Sequence, residues 1–178
     1  MKNILKPIIV LTAICLVVTA LLACVNGITS PIIKAAEEKA AALARSEVLK
    51  EAKSFEKLDI SLPDGAADIF KGNDNSGYVI ITKAKGYGGD IKIICGIRPD
   101  GSIENIKTLS HSETSGIGSK AADNKSGYNQ KYIGKNADNY TEVDTISGAT
   151  ISSKAYKKAV GIAFDTLKAA KGDINEKS

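Results

Sequence analysis

The sequence has no tryptophan, one histidine and three cysteines, and aromatic residues make up only 5% of it. Two of the cysteines, Cys15 and Cys24, lie in an apolar N-terminal stretch, so Cys95 is the one thiol of the polar remainder. That distribution excludes an intradomain disulfide, a multi-cysteine metal site and an iron–sulfur cluster. No glycine-rich dinucleotide fingerprint and no nucleophile–base pair can be found either. The formal net charge is +4, but lysines and acidic residues are interspersed rather than gathered into a stripe, so a nucleic-acid partner is not indicated.

What is present begins with an uncharged run from Ile8 to Val25, preceded by Lys2 and Lys6. At about 18 residues it approaches the length that spans a bilayer as a helix. Positive charge at the start favours a cytoplasmic N-terminus and places the rest of the chain outside. The run is longer than a signal-peptide core of about 7–15 residues, so an uncleaved anchor over 1–29 is expected. A cleaved signal and a lipoprotein signal at Leu21-Leu22-Ala23-Cys24 stay open, and both also export the domain. With 178 residues less this segment, there is room for one modest domain.

Ser30-Pro31 reads as an N-cap followed by a first helical position, and the Ala-, Glu-, Lys- and Leu-rich stretch after it predicts a juxtamembrane helix over 30–57. Ile33, Ala36, Ala40, Leu43, Ala44 and Val48 recur near helical spacing as a packing face. From Leu58 the texture changes to a domain of short apolar runs. Tyr78–Thr82 and Ile91–Ile97 read as strands, and Pro99-Asp100-Gly101 as a turn into the alternating Ile103–Lys107. A helix from about Ser152 to Lys171 carries the stripe Ala155, Ala159, Ile162, Ala163 and Leu167, with Gly172 placed to end it. Strands followed by a packing helix predict an α+β fold: one transmembrane helix, then a small domain over 58–178 with an antiparallel sheet and packing helices. Cys95, inside a predicted strand, reads as a small buried hydrophobe.

Two stretches could carry chemistry. Asp144-Thr145-Ile146-Ser147-Gly148-Ala149-Thr150-Ile151-Ser152-Ser153 crowds small residues between a predicted strand and the last helix. Such a helix start exposes backbone N–H groups and favours an attached negative group such as a phosphate. The same residues also make good N-caps, and composition does not choose between the two readings. His111-Ser112-Glu113-Thr114-Ser115-Gly116-Ile117-Gly118 follows a predicted strand and reads, by itself, as a polar loop whose glycines allow unusual backbone angles.

Asp144-x-x-Ser147-Gly148-Ala149-Thr150 with Ser152-Ser153 resembles the flavinylation motif of the FMN-binding family. The His111–Gly118 stretch resembles the H-x-E-T-P-G-L-G segment of Rnf complex G subunits and of the related C subunits of sodium-pumping NADH:quinone reductases. Ser115 departs from the usual proline and Ile117 from the usual leucine, and the first of these removes a fixed φ. Val25–Thr29, Asp100-Gly101 and Tyr132–Lys135 fall in the family's order, so the resemblance covers nearly the whole chain, and the short length and single span suit the Rnf branch.

The resemblance implies FMN joined by a phosphoester to Thr150, transferred from FAD by an FMN transferase that recognises Asp144. It also implies Ser147, Gly148, Ala149, Glu113 and Thr114 beside the cofactor, and no resident metal. The implied protein is a single-pass inner-membrane flavoprotein with its C-terminal domain on the extracytoplasmic side, relaying electrons in an ion-translocating ferredoxin:NAD oxidoreductase. Its partners would be the other membrane and peripheral subunits and the transferase. Two other readings compete: a non-catalytic extracellular binding module on a membrane stalk, and a stand-alone extracellular FMN reductase.

Overall fold

The computed structural model describes residues 2–176, and the chain divides into two compact units, 1–39 and 40–178. The first unit is helical throughout its described residues. Helix α1 runs Lys2–Val48 with Pro7 and Pro31 inside it, so the separate helix expected to start at Ser30 does not exist. Pro31 removes one backbone hydrogen bond, the one that Gly27 C=O would accept, and a helix of 47 residues absorbs that single loss. The stretch beginning at Lys6 has a mean hydropathy of 3.0 over its most apolar window and is long enough to cross a bilayer.

The second unit is built on an antiparallel meander of five strands in sequence order: β1 Phe55–Lys57, β2 Ala66–Gly72, β3 Tyr78–Lys85, β4 Asp90–Ile97 and β5 Ile103–Ser110. Short helical turns follow, including α2 Ser119–Ala122, and the chain closes with α3, Thr150–Glu176. The α+β class, the antiparallel sheet and the packing helices are as the sequence predicts. Helix α1 stops at Val48 rather than reaching residue 57. Ala41, Ala44, Val48 and Leu49 are the residues buried there, while Leu43 stays 64% exposed, so the packing stripe is offset from the one read off the sequence.

Alternation along the strands sends side chains to two faces. Ile80, Ile91, Ile93, Cys95, Ile97, Ile103 and Ile106 pack with Ala155, Tyr156, Ala159, Val160 and Ala163 of α3. Val79, Ile81 and Ile94 pack on the opposite face with Ala44, Val48, Leu49 and Phe70. Ile103 and Ile106 share a face although three apart, because the β4–β5 pairing shifts register between Gly96 and Ile97. Gly96 is needed for the second face: a Cβ there would lie 2.0 Å from the Val48 carbonyl oxygen. Thr82, fully buried, is accommodated because its hydroxyl donates to Ala159 C=O at 2.8 Å.

Helix α3 departs from expectation at both ends. It begins at Thr150 and continues through Gly172 to Glu176. Gly172 is not among the glycines with positive φ, so it lacks the left-handed conformation that a C-terminal glycine uses to stop a helix. The segment before α3 is a 3-10 turn at Tyr140–Glu142, not a strand. Tyr128, Tyr132 and Tyr156 fill the space beneath the long β5–α3 connection with ring centroids 5.5–5.8 Å apart.

Burial holds the Cys95 thiol above its ordinary pKa of 9.0. Burial, and then the Tyr128 hydroxyl, hold the Tyr132 phenol above 10.0, and burial does the same for Tyr156. Because these folded-state values are raised, the unfolded chain releases the protons first. Their contribution is complete below the ordinary values and is lost as pH climbs past them. The urea midpoint, followed by circular dichroism, is therefore expected to fall between pH 8 and about pH 10.5. Gly96→Ala, which drives a methyl group into the Val48 backbone, is expected to cost about 1–3 kcal/mol in the same assay.

Candidate functional site

The turn into α3 shows why small residues crowd this junction. Ala149 N–H donates to Ile146 C=O at 2.9 Å, and Gly148 has φ +80°, the geometry of a turn that requires glycine at its third position. Ala149 C=O then accepts the first helical bond, from Ser153 N–H at 2.9 Å. Ser153 Oγ reaches back to accept from Ile146 N–H at 3.1 Å. Thr150 is thereby the first helical residue, exposed to solvent, where the leading N–H groups have no partner within the helix.

Thr150 opens onto a cleft of about 390 Å³ lined by Tyr87, Glu113, Thr114, Ile117, Gly118, Gly148, Ala149, Thr150, Ile151 and Ser152. Clefts that hold cofactors run roughly 300–1,000 Å³. Its walls come from three separate segments: the β3–β4 turn, the loop after β5, and the start of α3. Glu113 joins them. It is 8% exposed, its Oε2 accepts from the Ser152 hydroxyl at 2.5 Å, and its Oε1 accepts from Gly88 N–H at 3.1 Å. Gly86 and Gly118 leave room for it, since a Cβ on either would come within 2.1 and 2.2 Å of a Glu113 carboxyl oxygen.

Of the residues singled out in the sequence, Thr150, Gly148, Ala149, Glu113 and Thr114 line the cleft together, whereas Ser147 and Asp144 do not. Both are exposed, Asp144 ahead of the turn and Ser147 at its second position. Sequence reasoning passed over Tyr87, Ile117, Gly118, Ile151 and Ser152 as site residues. The signal for Tyr87 was Gly86-Tyr87-Gly88-Gly89, a turn with three glycines around one aromatic. Among the described residues no group of three or more acidic, histidine or cysteine side chains could hold a metal.

Comparison with known proteins bears on this cleft directly. A model described as an FMN-binding domain matches residues 86–165, a span that contains every segment lining it. The G subunit of the ion-translocating oxidoreductase complex of Methanosarcina acetivorans is 32% identical over 96% of this chain and 98% of its own length. The chain belongs to the family of G subunits of ion-translocating oxidoreductase complexes. Within that family, the G subunit of the proton-translocating ferredoxin:NAD(+) oxidoreductase complex of Clostridium ljungdahlii is 30% identical over 88% of each chain. The Na(+)-translocating counterpart of Acetobacterium woodii is 27% identical over 92% of this chain and 91% of its own.

The cleft fits the cofactor that the domain binds. It has an exposed hydroxyl beside helix-start N–H groups that lack a partner within the helix, and exposed apolar side chains for a flat ring. Ser152→Ala removes one of the two hydrogen bonds that Glu113 accepts, so a loss of about 1–3 kcal/mol is expected. Thermal unfolding of the full-length protein checks this, with a midpoint several degrees lower than wild type.

Proposed function

We propose that this G-subunit family member is the membrane-anchored flavoprotein subunit of an ion-translocating ferredoxin:NAD oxidoreductase, carrying FMN covalently on Thr150. The observation that carries this reading is the exposed Thr150 hydroxyl at the first position of α3, facing a cleft inside the span matched by the FMN-binding domain. An isoalloxazine ring supplies uptake and release of one or two electrons, so no general base is needed from the protein.

The chain's own residues hold, orient and admit. The Thr150 oxygen is the acceptor: its bond to phosphorus forms as the bond between the two phosphates of FAD breaks, AMP leaves and the hydroxyl proton is released. The N–H groups of the first turn of α3 and the positive end of its dipole favour the phosphate so placed. Gly148 and Ala149 keep the approach free of side chains, while Glu113 and Thr114 form the opposite wall. Asp144 and Ser147, exposed and outside the lining, suit recognition by an FMN transferase, the Asp144 carboxyl helping to hold its metal ion.

With α1 as a single membrane pass, the lysines before its apolar run orient the domain to the extracytoplasmic side of the inner membrane. A covalent bond there keeps the flavin from being lost to the medium and at high effective concentration beside the other membrane and peripheral subunits. The full-length protein co-expressed with an FMN transferase is expected to gain one FMN-sized mass and in-gel fluorescence. Thr150→Ala is expected to lose both, and Asp144→Asn to load more slowly. A wild-type protein that stays unmodified beside an active transferase would sink the covalent reading.

A further inference from the structure

Outside α1, the large hydrophobic side chains exposed among the described residues are Tyr87, Ile117, Ile133 and Ile151. Three of these four line the cleft beside Thr150, and they come from three different segments. Exposed apolar groups concentrated in this way mark a surface that binds something. Tyr87 stands out further, being 74% exposed, with no aromatic ring packed on it among the described residues. The buried tyrosines, by contrast, pack on one another.

The backbone that carries Tyr87 is pinned. Gly86 N–H donates to Gly89 C=O at 2.8 Å, and Gly88 N–H donates to Glu113 Oε1 at 3.1 Å. A Cβ on Gly86 would lie 2.1 Å from that same oxygen, and one on Gly88 would lie 2.2 Å from the Ser112 carbonyl. The glycines thus let the turn lie flat on the loop after β5, and the one bulky side chain it bears stands at the lip of the cleft. Holding an aromatic in solvent on an anchored turn, with apolar neighbours and no partner of its own, prepares a face for a flat ring.

Resting on the reading of Thr150 as the flavin attachment point, we propose that Tyr87 is the aromatic that stacks on the isoalloxazine ring. Ile117 and Ile151 form the apolar sides of its seat, and Glu113 is the positioning residue that fixes the Tyr87 turn. The occupant is the flavin rather than a partner protein, because the same lining includes the attachment hydroxyl and the small residues that admit a phosphate.

The test uses full-length wild type, Tyr87→Ala and Tyr87→Phe, each co-expressed with an FMN transferase, with covalent flavin counted by intact mass. Visible circular dichroism and fluorescence anisotropy per bound flavin report how rigidly the ring is held. Tyr87→Ala is expected to keep the adduct and the thermal midpoint but to lose most of the induced dichroism and to gain fluorescence several-fold. Tyr87→Phe is expected to retain the dichroism. Equal dichroism and anisotropy in wild type and Tyr87→Ala, with the adduct present in both, would overturn the assignment. If wild type carries no adduct, the covalent reading fails separately, and titration of the three proteins with free FMN decides Tyr87. Weaker binding by Tyr87→Ala alone sustains the proposal, and equal binding by all three overturns it.

Discussion

The candidate site depends on one buried carboxyl group. Glu113 sits on the loop after β5 and accepts hydrogen bonds from the first turn of α3 through Ser152 and from the β3–β4 turn through Gly88. The apolar core between the sheet, α2 and α3 brings the three segments near one another. A buried polar group is costly unless its partners are present, so the two hydrogen bonds and the close-fitting Gly86 and Gly118 make the arrangement specific. The cleft is the space left between the three segments once Glu113 has joined them.

In the proposed function, this arrangement separates the tasks of attachment and seating. Attachment needs an accessible nucleophilic oxygen and a place for negative charge, which the exposed Thr150 at the start of α3 combines in one residue. Seating needs apolar area and a fixed shape, which the exposed Tyr87, Ile117 and Ile151 lining the cleft would supply. A covalent tether lets the seat be shallow, because the ring cannot diffuse away and the protein need not enclose it.

Much of the fold could be read in the sequence. The strands around Tyr78–Thr82, Ile91–Ile97 and Ile103–Lys107 announce themselves as apolar runs separated by turn residues, and they form β3, β4 and β5. Strand β2 was hidden because Ala66–Gly72 offers only Ile69 and Phe70 as large apolar residues, too few to show a period. Pro31 and Gly172 misled as punctuation, since a proline or glycine only permits a break and the surrounding helix decides whether one occurs. At the site, Ser147–Thr150 were legible as small residues at a helix start, though not as the turn that precedes it. The bond between Glu113 and Ser152, 39 residues apart, was not, because local spacing carries no information about long-range pairing. Tyr87 had a local signal in its three flanking glycines, but what they pack against, Ser112 and Glu113, is a long-range contact that spacing does not show.

The proposed seat for a flavin held on Thr150 is made of three segments, 86–89, 113–118 and 148–152. Hydrogen exchange by mass spectrometry on the flavin-loaded full-length protein against the unloaded Thr150→Ala variant tests it most directly. Slower exchange on loading is expected in all three segments together, with the cleft at Asn136–Asp138 and Phe164–Lys171 unchanged. Protection confined to the attachment turn, or appearing in that other cleft instead, would contradict it.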